Sequence, residues 1–362
     1  MSERPVNFSA GPAILPLEVL EEASRAVFAL DDVGLSILEI SHRSPPFEAI
    51  IEAARDGVRR ALGVPESHDV LFLQGGARAQ FAQVPLNFLN DGQTAAYVNT
   101  GAWSTYAIDE AARLGSAAEV ATGEPSGFSE LPDLGGLELG AETAYVHTTS
   151  NNTIYGTQWQ SLPTFGEVPH VCDMSSDIFS RPVDVSGFKL IYAGAQKNAG
   201  PAGVTLVIID KAWMAQARED IPAIWRYATH AAKDSMYNTP PTFPIYVVGL
   251  VTQWIELQGG VERVAEINER KAGLIYEAID ASDVWECAVA EPSHQSRMNV
   301  AWRTRDPELA PRFVAEAAEA GLSGLKGHRK VGGLRASIYN AMPLSGVETL
   351  VEFMSDFARK NA

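Results

Sequence analysis

Residues 190–209, LIYAGAQKNAGPAGVTLVII, hold two apolar runs separated by a turn of Gly, Ala, Pro, Gln and Asn, with Lys197 at its centre. Each run has the length and β-branched content of a buried strand. The residues beside Lys197 are too small to cover an ammonium group or to pair with it. A solvated loop lysine is the commoner outcome at such a place. The alternative is an amine nucleophile, which needs close packing, partial desolvation and a lowered pKa. The two runs also bear on the fold. Short, continuously apolar strands that alternate with helices build a mostly parallel sheet covered on both faces.

Outward from this stretch the alternation continues. Helical spacing is found over residues 17–30, behind Pro16, and over 47–62, closed by Gly63. Strands are predicted at 70–73, 95–98, 143–147, 168–172, 190–193 and 204–209. A helix over 77–89 contains Pro85, a residue that kinks or shortens helices. After residue 258 the texture changes. Gly259-Gly260 punctuates the chain, and a helix (261–281), a strand (297–303) and two more helices (307–321 and 347–360) follow. This predicts an α/β chain with a large domain over 16–260 and a smaller α+β domain over 261–362.

Composition narrows the function. The 362 residues carry a net charge of -17, which disfavours nucleic acid and anionic membranes as partners. An anionic substrate would then need a local basic pocket. The two cysteines, Cys172 and Cys287, form no CxxC pair, so neither a disulfide framework nor a cysteine zinc site is expected. None of the seven histidines lies in an HExxH pattern, so no metal is expected. The opening MSERPVNFSAGPAILP lacks the pattern of a secretory signal. No apolar run approaches the roughly 20 residues of a membrane span. A soluble cytoplasmic protein is the expectation.

Several motifs carry candidate chemistry. In LFLQGGARAQF (71–81) a strand runs through Gly75-Gly76 into a helix, which offers free N–H groups and the positive helix end to a phosphate. In VCDMSSD (171–177) Asp173 follows an apolar strand, at the carboxyl end where open sheets place their ligands; a turn or helix cap is the competing role. Lys197 ends the next strand, so a carboxylate and an amine face one crevice. A Schiff-base lysine with a carboxylate holding a protonated pyridine nitrogen fits that pairing. Trp103, in NTGAWST, suits stacking on a flat ring or core packing. Thr153, in TTSNNTIYG, suits donation to a phenolate oxygen or turn capping. Cations gather beside glycines at SHR (41–43), at Arg78 and in GHRKVGGLRASIYNAMP (327–343), as expected for an anion site.

These motifs, with FSAGPA (8–13), AGAQKNAGPAG (193–203) and NTPPTF (238–243), make the chain resemble the phosphoserine aminotransferase family. This is a family of fold-type I, class V pyridoxal-phosphate enzymes, and the resemblance runs over essentially the whole length. It implies a mostly parallel seven-stranded sheet, and an N-terminal segment (1–15) at the active site. It implies pyridoxal 5'-phosphate bound covalently to Lys197, which would also shuttle the substrate Cα proton. Asp173 would pair with the pyridinium nitrogen, Trp103 would stack on the ring, and Thr153 would hydrogen-bond the phenolic oxygen. Gln196, Ala77 and Arg78 would surround the cofactor phosphate, with Ser9 near cofactor or substrate. Asn238 and Thr239 would reach that phosphate from a neighbouring subunit, which makes the active site a property of a homodimer. Arg43 would hold a substrate carboxylate, with His42, His328, Arg329 and Arg335 around the anionic ends.

The implied reaction moves the amino group of L-glutamate to 3-phosphohydroxypyruvate, a phosphorylated 2-oxo acid, giving O-phospho-L-serine and 2-oxoglutarate. The homologous 4-phosphohydroxythreonine of pyridoxine biosynthesis is a second expected substrate. Two departures from the family stand out. Ala77 and Ala79 occupy positions where relatives often carry glycine, so both must accept helical dihedrals. Asn151 and Asn152 replace a different loop before Thr153. A cysteine desulfurase would need a reactive cysteine on a mobile loop, and an alanine–glyoxylate aminotransferase would leave the arginines unexplained. A binding protein that had lost the chemistry would have lost Lys197 or Asp173 first.

Overall fold

The computed structural model describes residues 4–361. Residues 1–3 of the expected N-terminal segment, and residue 362 at the end of the expected small domain, lie outside that range. In chain order the first elements are β1 (Val6–Asn7), α1 (Leu17–Phe28), α2 (Pro45–Leu62), β2 (His68–Leu73), α3 (Gly76–Phe88) and β3 (Thr94–Asn99). Then come α4 (Ala102–Ala112), β4 (Ser116–Thr122), β5 (Thr143–Thr149), β6 (His170–Asp173), β7 (Leu190–Gly194) and β8 (Thr205–Asp210). The helices α5 (Lys211–Met214), α6 (Tyr227–Ala231), α7 (Thr242–Leu257) and α8 (Gly260–Asp280) follow. The chain closes with β9 (Trp285–Cys287), β10 (Asn299–Thr304), α9 (Leu309–Glu319), β11 (Leu322–Ser323), β12 (Leu334–Ser337) and α10 (Leu344–Asn361). Among the described residues no helix is long and apolar enough to cross a membrane.

Seven strands form one sheet in the order β2-β8-β7-β6-β5-β3-β4. The pairs from β7 to β4 are parallel, while β8 runs antiparallel to both β7 and β2. Its central strands are buried on both faces, which is why they read as continuous apolar runs. One face packs on α1, α2 and α7 through residues such as Phe47, Ile51, Val248 and Ile255. The other packs on α3 and α4 through Phe81, Val84, Ala107 and Ala111.

Local signals set the helix ends. Pro45 opens α2, and Gly63 closes it in the left-handed region at φ 60°. Pro85 sits inside α3 without ending it, one turn before the C-terminus.

The C-terminal part forms a three-stranded antiparallel sheet, β12-β10-β9, backed by α8, α9 and α10. Its core also takes in Phe8 and Ile14, and β1 pairs in parallel with β11 through Val6 and Leu322. The N-terminal segment is therefore built into the C-terminal layer. Helix α8 belongs to both cores: Val261 and Val264 pack with the large sheet, while Ala272, Ile275 and Ile279 pack with the small one.

Candidate active site

Strand polarity creates the site. β6 and β7 are parallel neighbours, so Asp173 and the turn after Gly194 emerge at the same carboxyl edge, with Asp173 in register with Tyr192. The turn joins β7 to the antiparallel β8 and holds Lys197, which is half-buried. Gly11 explains how another segment comes so close. It has φ 142°, and a Cβ there would meet Lys197 Cγ at 3.3 Å. A cavity of about 450 Å³ opens here, and Asp173, Lys197, Gln196, Trp103, Thr153, Arg78, Ala77, His328 and Arg335 all line it.

The electrostatics suit an amine kept reactive. Burial pulls Lys197 down to about 8, helped by the Arg335 charge and opposed by Asp173 and Asp177. Burial pushes Asp173 upward, against the hydrogen bond from Ser175, whose N–H donates to Oδ1 at 2.9 Å, and against the Lys197 charge. Among the described residues no carboxylate lies within ion-pair distance of Lys197. Asp173 thus also takes the turn-capping role that competes for it, through Ser175.

Above this pair, Lys197 Nζ lies 5.5 Å from the Trp103 ring centroid. Trp103 Nε1 donates to Thr153 Oγ1 at 2.9 Å, which leaves the Thr153 hydroxyl proton free to donate. Arg335 Nη1 donates to the Thr153 carbonyl oxygen at 2.8 Å, while its Nε is buried without a partner. Burial lowers the Arg335 pKa, and the guanidinium remains charged at the cavity wall, as does that of Arg78.

At the other end lies the first turn of α3. Gly75 has φ 93° and Gly76 φ 66°. A Cβ on Gly75 would come within 2.5 Å of Ala79 Cβ, so only glycine lets the strand enter the helix there. The first-turn N–H groups are open to an anion. Ala77 and Ala79 lie within α3 in ordinary helical conformation, so they fit without strain. This donor set would fit an aromatic ring with three substituents: the first turn of α3 could hold a phosphate, Lys197 could take an aldehyde and Asp173 could pair with a basic nitrogen.

The family model described as Aminotransferase class-V matches residues 6–350. The chain belongs to the class-V aminotransferase family. A curated phosphoserine aminotransferase from Lysinibacillus sphaericus is 49% identical over 361 residues, covering all of both chains. The solved phosphoserine aminotransferase of Bacillus circulans subsp. alkalophilus is 48% identical, with a TM-score of 0.97 and full coverage of both. A pyridoxal-phosphate-bound phosphoserine aminotransferase from Trichomonas vaginalis is 37% identical, with a TM-score of 0.92 over 97% of this chain and 99% of that one. As a class-V aminotransferase the chain is a pyridoxal-phosphate-dependent transaminase of the expected α/β fold, with its seven-stranded sheet.

Some expected contacts of this aminotransferase stand apart from the cavity in the single chain. Arg43, Arg329 and Thr239 are exposed, and His42 is half-buried with an unpartnered Nε2. Ser9 precedes two lining residues, Ala10 and Gly11, without lining the cavity itself. Asn238 lines a smaller neighbouring hollow with Gly75, and its Nδ2 donates to Gln74 Oε1 at 3.1 Å. Other lining residues carry little sequence signal. Ser175 and Ser176 follow Asp173 closely enough to be suspected, whereas Thr149, Ile154 and Ala10 look like ordinary packing residues. Cys172 is fully buried, and its thiol is pushed up by that burial, which removes it as a nucleophile.

Proposed function

We propose that this aminotransferase transfers the amino group of L-glutamate to 3-phosphohydroxypyruvate, giving O-phospho-L-serine and 2-oxoglutarate. One observation carries the reading. A chain of net charge -17 turns Arg78 and Arg335 toward the cavity that holds Lys197, with His328, held toward its neutral form by burial and by Arg335, beside them, and Arg335 keeps a buried, unpartnered N–H. Substrates with two anionic ends suit such a wall. The names of the full-length relatives support the same reading.

The residues divide the work. Asp173 would hold the pyridine nitrogen protonated, Trp103 would lie against the ring, and the free Thr153 proton would reach the phenolic oxygen. Gln196, Ala77, Arg78 and the first turn of α3 would hold the phosphate. When bound, pyridoxal phosphate supplies an electron sink for the carbanion left at the substrate Cα. Lys197 Nζ, neutral above about pH 8, is the group that takes the Cα proton. Arg335 would hold the substrate carboxylate and so fix Cα beside that amine.

Arg43, Thr239 and Arg329 are exposed in one chain and so available to a second copy, which supports a homodimer with shared sites. In that assembly Asn238 and Thr239 would reach the neighbour's phosphate, and Arg43 and His42 would complete the substrate end. Residues 16–260 and 261–362 serve as the large and small domains, and 4-phosphohydroxythreonine serves as a second substrate. The scarcity of cysteines suits the cytoplasm.

The test is a half-reaction. The holoenzyme is mixed separately with O-phospho-L-serine, L-glutamate, L-alanine and L-cysteine, and the visible absorbance of the bound cofactor is followed. Rapid loss with phosphoserine and glutamate alone is expected. Loss with alanine alone would discard the substrate and keep the class.

A further inference from the structure

Helix α8 buries a lysine that the chemistry above does not use. Lys271 is 0% exposed. Its Nζ donates to the carbonyl oxygens of Ile338, Tyr339 and Met342 at 3.0, 2.8 and 3.1 Å. Those three bonds use every proton of the ammonium group. Among the described residues no carboxylate pairs with it, and burial pulls it down to about 7. A charge buried without a counter-ion is costly, so packing alone does not account for a lysine here.

The caged segment is the strip between β12, which carries Arg335, and α10. Asn340, inside it, donates its backbone N–H to Asn198 Oδ1 at 3.0 Å. Asn198 directly follows Lys197, and its Nδ2 donates to the carbonyl of Ser176, a cavity-lining residue, at 3.1 Å. The Asn340 side chain donates to the Phe179 carbonyl and accepts from Asn268, one turn before Lys271 on α8. Tyr339 donates its hydroxyl to the carbonyl of Ala10, another lining residue, at 2.7 Å.

We infer that Lys271 is a positioning residue: by gathering three carbonyls of residues 338–342 it fixes, through Asn340 and Asn198, the turn that presents Lys197. Through β12 it also sets the separation between Lys197 and Arg335. A methionine or leucine would fill the volume and leave three carbonyls turned on one another. The inference rests on Lys197 being the reacting amine.

The test uses the holoenzyme with Lys271→Met, Asn198→Ala, which removes the oxygen that accepts from the Asn340 N–H, and the double variant. Four quantities are read: the pH midpoint of the visible band of the bound cofactor, kcat and KM for L-glutamate, and the thermal midpoint. The expected result is retained cofactor, a midpoint moved by about half a pH unit or more, and kcat/KM lowered about ten- to hundredfold. The double variant should match the worse single, because both cut one chain of contacts. A Lys271→Met protein with a lower thermal midpoint, but an unmoved pH midpoint and unchanged kcat/KM, would overturn the inference. Should Lys271→Met not fold, Asn198→Ala decides alone, and silence there overturns it. Lys197→Ala is the control: if that variant keeps the visible band, the underlying reading fails instead.

Discussion

Trp103 and Thr153 are tied by a 2.9 Å hydrogen bond from the indole N–H to the threonine hydroxyl, and Thr153 is held from its other side by Arg335 at its carbonyl. The group that would lie on the cofactor ring, the group at the ring's edge and the substrate-side cation thus form one unit. Thr153→Val should remove the acceptor and strand a half-buried indole N–H, at a cost of about 1–3 kcal/mol. Cofactor retention measured by dialysis should weaken by about tenfold or more, while Thr153→Ser should retain most of it. Equal retention by the valine variant would mean that the bond does not serve the cofactor.

Lys197→Ala should lose the visible band of the bound cofactor and lower turnover by about a thousandfold or more. Absorbance and single-turnover kinetics check both. Full turnover in this variant would remove the amine from the mechanism.

The pH dependence follows from the direction of the Lys197 shift. Only the neutral amine attacks an aldehyde, so covalent capture of cofactor by the apoprotein should rise about tenfold per pH unit and level off near pH 8. Arg335→Met should move that break upward, since the Arg335 charge helps hold Lys197 down. The same sign applies to stability. Lys197 and Lys271 sit near 8 and 7 in the fold against 10.5 in the unfolded chain. Between those limits the unfolded chain binds more protons, so both lysines favour folding increasingly as pH rises. Denaturant titrations of the apoprotein at pH 7 and 9 would show it.

Asp173→Asn should leave cofactor bound but lower the half-reaction rate by about a hundredfold or more, because an amide cannot hold a proton on the ring nitrogen. Rapid-mixing absorbance with L-glutamate measures the rate. A change below threefold would place Asp173 in turn capping alone.

Raising the salt concentration should increase KM for L-glutamate, whereas cofactor retention should change little, since free cations that meet small anions are screened more than a covalently held group. Equal weakening of both would count against an anionic-substrate pocket.

Much of this was legible from residue types. Buried central strands read as apolar runs, and Gly63, Gly75 and Gly259 mark turns where φ is positive. The edge strand β4 gave no such signal, since SAAEVAT is small, polar and partly exposed, and edge strands need no apolar face. α4 was hidden for a similar reason: it packs through alanines and a serine, so its apolar stripe is faint. Asp173, Lys197 and Trp103 stood out because a charged or bulky group follows a strand end. Lys271 did not. It sits in an amphipathic helix among Glu, Arg and Asn, where a lysine reads as surface, and only the fold brings the three carbonyls to it. Arg43 and Arg329 were identifiable as cations, yet both are exposed and neither lines the cavity that holds Lys197.

β1 has a consequence for how the molecule is made. The Ser323 hydroxyl donates to the Val6 carbonyl across 317 positions of chain, and Phe8 and Ile14 sit in a buried core otherwise supplied by the last quarter of the sequence. On the ribosome the first strand leaves the tunnel with nothing to pair with. Its partner β11 is made only when residues 322–323 are added. All strands of the large sheet lie between the two in sequence, so the β1–β11 pairing is a contact of very high sequence separation, the kind that is slow to form. Since Ala10 and Gly11 are carried on that same strip, the cavity that holds Lys197 takes part of its wall from the segment anchored by this pairing.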